Sequence, residues 1–175
     1  LVSSSAASDV YKRQPFRAHP SYREIADRPH AERLAAMRDP EFRARLLAEE
    51  PKTKDRFIWY LVNNFAHMYR LGDPADYEPP KEQGAAAVAE REGRTPQEVI
   101  YDWLLEDDGT AMIFMPLGSY VDHDHEAIRA MIEHPGSIFG LSDGGAHCGL
   151  ICDASMPTYM LTHWARDRKR GPQLP

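Results

Sequence analysis

The sequence predicts an α/β chain, with an α-rich first part over residues 15–110 and a shorter second part over residues 111–175 that carries strands. Helix caps and apolar stripes of helical period recur up to Gly109. Beyond it, two short apolar runs, Ala111–Met115 and Ser137–Leu141, bracket an amphipathic segment. Strand, helix, strand in that order is a βαβ unit, which implies parallel strands and a right-handed crossover. A glycine-rich loop, residues 142–155, follows the second run directly.

In the first part, His19-Pro-Ser-Tyr22 opens a helical stretch that Pro29 interrupts, and a second segment runs from about His30 to Arg38. Asp39-Pro40 starts another helix, an N-cap acid with proline at the first position. Phe42, Leu46 and Leu47 follow at helical spacing. Phe57 to Leu71 is apolar and aromatic without a decisive period. The prolines and acids of Gly72 to Pro80 predict a loop, which could form part of a lid or simply be solvated. Gln83 to Glu92 reads as a helix closed by Gly93. Thr95-Pro-Gln-Glu98 is a capping box, and Val99, Ile100, Trp103 and Leu104 form the buried stripe of its helix. Asp107-Asp-Gly109 ends it.

In the second part, Asp124 to Glu133 is a helix with Ile128, Met131 and Ile132 on one face, broken by His134-Pro-Gly136. A last helix runs from about Met156 to Arg166. Within it His163 and Trp164 are expected to pack inward, and Asp153 to cap or brace its start. Residues 1–14 stand apart from this scheme. Ser8–Gln14, SDVYKRQ, looks like a translated transposon-end adapter, so residues 1–14 are treated as a non-native tail. Both ends read as those of a piece of a longer chain.

Composition narrows the function classes. The 175 residues are 42% hydrophobic and 27% charged, ordinary for a globular protein. A net charge of −6 gives no basic face for nucleic acid. No apolar run approaches the length of a transmembrane helix. The two cysteines, Cys148 and Cys152, make no disulfide framework, which suits a cytoplasmic setting. They are expected to be small buried hydrophobes rather than ligands.

Chemistry concentrates in Gly140-Leu-Ser-Asp-Gly-Gly-Ala-His147. In parallel α/β folds, functional side chains lie at and beyond the C-terminal ends of strands. Asp143 is the first carboxylate after the predicted strand, and Gly144 and Gly145 let a metal or substrate approach the backbone closely. The competing reading is a strand-ending Asp-Gly turn. His147, four residues on, could touch substrate or orient Asp143, or could bond only to backbone. His123-Asp-His125 has metal-pair spacing but falls at a helix start, where a solvated role is expected. His19 and His67 carry no assigned role.

Residues 134–168, HPGSIFGLSDGGAHCGLICDASMPTYMLTHWARDR, resemble the C-terminal barrel region of metal-dependent amidohydrolases in the N-acyl-D-amino-acid deacylase branch. HPSYREIADRP, LGDPADYEPP and YDWLLEDDG fit the same branch, so the resemblance spans nearly all of residues 15–175. It implies a (β/α)8 barrel, of which residues 111–175 would form the last strands and residues 15–110 an α-rich insertion. It implies hydrolysis of a small-molecule amide with one or two divalent ions, usually zinc. Asp143 would be the catalytic proton acceptor and could also touch metal, with His147 as a substrate contact. No His-x-His metal pair precedes a barrel strand here, so the chain by itself is expected to bind zinc weakly or not at all. A cyclic amide or imide hydrolase of the same superfamily is the alternative activity. A non-catalytic helical interaction domain is the alternative class.

Overall fold

The computed structural model describes residues 15–116, 120–138, 140 and 155–175. A 3-10 turn, Pro15–Ala18, leads into α1 (Pro20–Arg23), α2 (His30–Arg38), α3 (Pro40–Leu47) and α4 (Arg56–Asn63). A second 3-10 turn, Phe65–His67, precedes β1 (Tyr69–Leu71). A third, Lys81–Gln83, precedes α5 (Ala85–Glu92) and α6 (Pro96–Gly109). Then come β2 (Met112–Phe114), α7 (Glu126–Glu133) and α8 (Met156–Tyr159), which continues into a π-helical stretch, Met160–Asp167.

Local chemistry sets the helix ends. The Asp39 carboxylate accepts from Phe42 N–H at 2.8 Å, with Pro40 at the first position of α3. Thr95 and Glu98 form a reciprocal capping box on α6. Gly93 closes α5 at φ +64°, where a Cβ would be strained. Backbone angles leave the helical region at Glu106–Asp108, so α6 ends where the Asp-Asp-Gly run begins. The uncertain stretch from Phe57 to Leu71 divides into α4, a 3-10 turn and β1.

α6 carries the main core. Val99, Ile100, Trp103 and Leu104 are all buried, packed with Phe16, Tyr22, Ile25, Met37 and Leu46 from the first three helices and the turns beside α1. Tyr101 is buried too, its hydroxyl donating to Met37 O at 2.6 Å. On α4, by contrast, Phe57, Ile58, Trp59 and Tyr60 are all exposed.

β1 and β2 pair antiparallel, with Tyr69 opposite Phe114 and Leu71 opposite Met112. Successive strand side chains point to opposite faces, and here the two faces serve different cores. Met68, Ile113 and Met115 join the main core, while Tyr69 and Phe114 pack with Tyr120 in a second cluster.

Two expectations need correction. Ala111–Met115 does hold a strand, which pairs with β1, while Phe139 and Leu141 of the predicted strand Ser137–Leu141 lie outside the described residues. Of the latter run, Ser137, Ile138 and Gly140 are irregular, and Ile138 is 96% exposed. A strand needs a neighbour to take its backbone N–H and C=O groups, and none flanks this segment among the described residues. On α7 only Ile128 is buried, while Met131 faces outward and Ile132 is half-buried, so the expected three-residue stripe is one residue deep.

Removing the α6 cap with Thr95→Ala should lower the unfolding free energy by about 1 kcal/mol. Trp103→Ala should cost roughly 3–5 kcal/mol. Urea denaturation followed by circular dichroism measures both.

Candidate functional site: a buried carboxylate, two histidines and an arginine

The described residues bring together groups far apart in the sequence. Glu78 comes from the loop after β1, His125 from the residue preceding α7, and His163 and Arg168 from the C-terminal helix and its end. Pro79 and Pro80 follow Glu78 and preclude helix there. The loop bends inward at Tyr77 and Glu78. Gly72 to Asp76 are exposed, but Glu78 is only 2% exposed. A purely solvated loop is thus the wrong description of its second half.

Arg168 anchors the carboxylate. Its Nε donates to Glu78 Oε2 at 3.0 Å and its Nη2 to Glu78 Oε1 at 2.8 Å, a two-pronged pairing of planar groups. Nη2 also reaches Glu126 Oε1 at 2.7 Å, and the guanidinium lies 4.8 Å over the Trp164 ring. Arg170 supports the same loop, donating to Glu78 O, His123 O and the Tyr120 hydroxyl. Tyr120 in turn donates to Pro79 O at 2.8 Å. Gly171, at φ +110°, leaves room for this pair: a Cβ there would collide with Glu126 and the Arg168 guanidinium.

The π-helical winding places His163 and Arg168 on one turn, closed by Arg168 N–H donating to His163 O at 2.8 Å. His163 Nε2 lies 3.4 Å from Glu78 Oε2, outside hydrogen-bond geometry. His125 Nδ1 lies 4.0 Å from the same oxygen, while the His125 backbone N–H donates to Glu78 Oε1 at 3.1 Å. Both ring nitrogens are buried without a hydrogen-bond partner, as is the Tyr159 hydroxyl. Tyr159 stacks on His163 at 4.7 Å, and Tyr120 meets His125 edge-on at 4.8 Å.

His125 is 1% exposed, so the expected solvated role at a helix start does not hold. Burial pushes its pKa down to about 4, against the pull of Glu78, so the ring is neutral at pH 7. Burial works against the Glu78 charge. The approach of His163, the Arg168 guanidinium and the His125 amide outweighs it and holds that carboxyl down at about 2. Arg168 is pushed up by its bonds to Glu78.

Asp143, His147, Cys148, Cys152 and Asp153 lie outside the described residues. In the sequence they fall between the elements that supply His125 and His163. His163 and Trp164 both turn inward, as expected, though His163 meets a carboxylate as well as rings. His67 stacks on His123 at 4.4 Å, and His19 is buried against Phe16. A cleft of about 70 Å³ beside Phe16, His19 and Glu49 is far below the roughly 300–1,000 Å³ of small-molecule pockets. Sequence reasoning missed Glu78 and Arg168 as partners, because nothing local marks a pair separated by 90 residues.

Among the described residues no helix is long and apolar enough to cross a membrane. No protein-family profile, curated protein or solved structure matches the chain.

Breaking the pair from one side, with Glu78→Gln or Arg168→Met, should cost roughly 3–5 kcal/mol, because it leaves a buried charge uncompensated. The double variant Glu78→Leu/Arg168→Met should recover most of that in urea denaturation. Acid should act in two stages. His125 takes up its proton near 6.5 when unfolded and near 4 when folded, so stability is complete above pH 6.5 and falls as pH drops toward 4. This stage is worth on the order of 3 kcal/mol. Glu78 then contributes a second loss as pH falls from 4.5 toward 2. Urea midpoints between pH 7 and pH 4 should fall, and His125→Gln should flatten that limb.

Proposed function

We propose that this chain is part of a metal-dependent hydrolase of non-peptide amide bonds, acting on N-acyl-D-amino acids or close relatives. The observation that carries the reading is the series GLSDGGAH, ICDAS and LTHW…R, which resembles that branch in order and spacing. The fold adds support of a different kind. Two segments of the resemblance, the LGDPADYEPP loop and the LTHWARDR helix end, are fastened to each other through Glu78 and Arg168. The low strand content of the described residues does not bear on a partial (β/α)8 barrel.

In this proposal Asp143 is the proton acceptor. A divalent ion, zinc by the family resemblance, would supply an acidified water at neutral pH. The Asp143 carboxylate would take that water's proton and pass it to the leaving amine nitrogen. His147 would contact substrate or orient Asp143. The substrate is a small amide, and the setting is cytoplasmic. A cyclic amide or imide hydrolase uses the same carboxylate and differs in the groups that grip substrate.

In the longer enzyme, Asp143→Asn should lower kcat by roughly 10²–10⁴-fold or more with metal content retained. Asparagine keeps the shape but accepts no proton from bound water. His147→Ala should cost less. Amine release from a panel of N-acyl-D-amino acids and cyclic imides measures both variants, and near-normal kcat in Asp143→Asn would overturn the assignment. The 175-residue chain alone should turn over none of these substrates.

A further inference from the structure

We propose that Glu78, His125 and His163 form a divalent-cation site. Among the described residues they are the set of His, Cys, Asp and Glu whose ligand atoms cluster, all within 4.8 Å of one another. Two imidazole nitrogens and one carboxylate oxygen are a donor set that suits zinc, with water completing four-coordination.

The separate observation is that both nitrogens lack a hydrogen-bond partner among the described residues. His125 is wholly buried, yet its Nδ1 has no hydrogen bond, and neither has His163 Nε2. Buried polar atoms nearly always find a partner, so two orphans aimed at one carboxylate need a reason. A shared cation satisfies both. The spacing is close to what such an ion requires. Ligand atoms about 2.0–2.1 Å from tetrahedral zinc lie about 3.3–3.4 Å apart. His163 Nε2 and Glu78 Oε2 already stand 3.4 Å apart, His125 Nδ1 is 4.0 Å from the same oxygen, and all three ligand atoms lie within 4.8 Å of one another, so the imidazoles draw together on binding.

Arg168 is the obvious objection, since it brings a positive charge beside the site. It pairs with two carboxylates, however, Glu78 and Glu126, so these three side chains together carry −1. Asp76 lies close by, its carboxylate accepting from the Glu78 amide at 2.9 Å. Glu126 also pairs with Arg129, and Arg170 donates to the Glu78 carbonyl, so the surrounding charges are close to balance and Glu78 itself supplies the negative charge that meets the ion. Arg168 fixes the carboxylate plane, and the Tyr159, Tyr120 and Trp164 rings hold the imidazoles, which is the role outer partners play around metals. The ion would tie three distant segments together, so its role is to stabilise the fold. This revises the expectation that the chain binds zinc weakly for want of upstream histidines.

The test uses the 175-residue chain, stripped with a chelator and titrated with cobalt(II) and then zinc. One equivalent of cobalt should give the visible bands of a four- or five-coordinate ion, and zinc should abolish them and raise the Tm. His125→Gln and His163→Gln should each weaken zinc binding by roughly 100-fold or more. His134→Gln, at an exposed histidine outside the cluster, should leave it unchanged. Should the histidine variants not fold, the imidazole ¹⁵N resonances of the unsubstituted chain decide the matter. Zinc must shift those of His125 and His163 and leave those of His19 and His134 in place. Absence of a one-to-one cobalt complex, or zinc binding indifferent to both histidines, overturns the proposal.

Discussion

The Glu78–Arg168 ion pair is the constraint on which the C-terminal half of the described structure depends. It joins a loop that follows the first strand to the end of the last helix, 90 residues later. Both side chains are withdrawn from water, so the pair is costly to bury and costly to break. What makes it tolerable is the number of further donors and acceptors gathered round it. Glu126, the His125 amide, Arg170 and Tyr120 each take up a group that burial would otherwise strand. A polar core of this kind admits few alternative arrangements, because each member is satisfied only when the others are in place. The exceptions around it are the two histidine nitrogens and the Tyr159 hydroxyl, and the nitrogens are the ones that face the Glu78 carboxylate.

The antiparallel ribbon of β1 and β2 divides this polar core from the helical one. One face of the ribbon belongs to α6 and the helices packed on it, the other to the tyrosines that lead toward Glu78. The helical half owes its stability to apolar area and well-made caps. The C-terminal half owes more to charge pairing and hydrogen bonds. The two halves therefore respond to different stresses, denaturant acting on the first and acid on the second.

How much of this was legible in the sequence follows from the range of each interaction. The Thr95–Glu98 box, the Asp39-Pro40 start and the Gly93 stop act within one helical turn, and each is written in adjacent residues. The buried stripe of α6 repeats at helical period and is equally plain. Strand pairing is a longer-range matter. Ala111–Met115 contains a strand, but its partner, β1, lay in an aromatic stretch with no decisive period. Ser137–Leu141 is apolar enough for a strand, but the described part of it has no neighbour to pair with. Glu78 stands in an acidic, proline-rich run that resembles any solvated loop, and only Arg168 distinguishes it. His123-Asp-His125 reads as a solvated helix start despite its metal-pair spacing, whereas the backbone sends the two rings apart, His123 toward Tyr69 and His67 and His125 toward Glu78.

The division into two cores has an optical counterpart. The chain has three tryptophans, and each sits in a different medium. Trp103 lies in the helical core, Trp164 lies beneath the Arg168 guanidinium, and Trp59, 55% exposed on α4, meets water. Intrinsic emission is therefore a sum of three populations rather than one. Trp59 reports solvent throughout, and the other two emitters each lie under a cation, Arg70 over Trp103 and Arg168 over Trp164. Emission from the folded chain is thus weighted by two guanidinium groups, one beside each core.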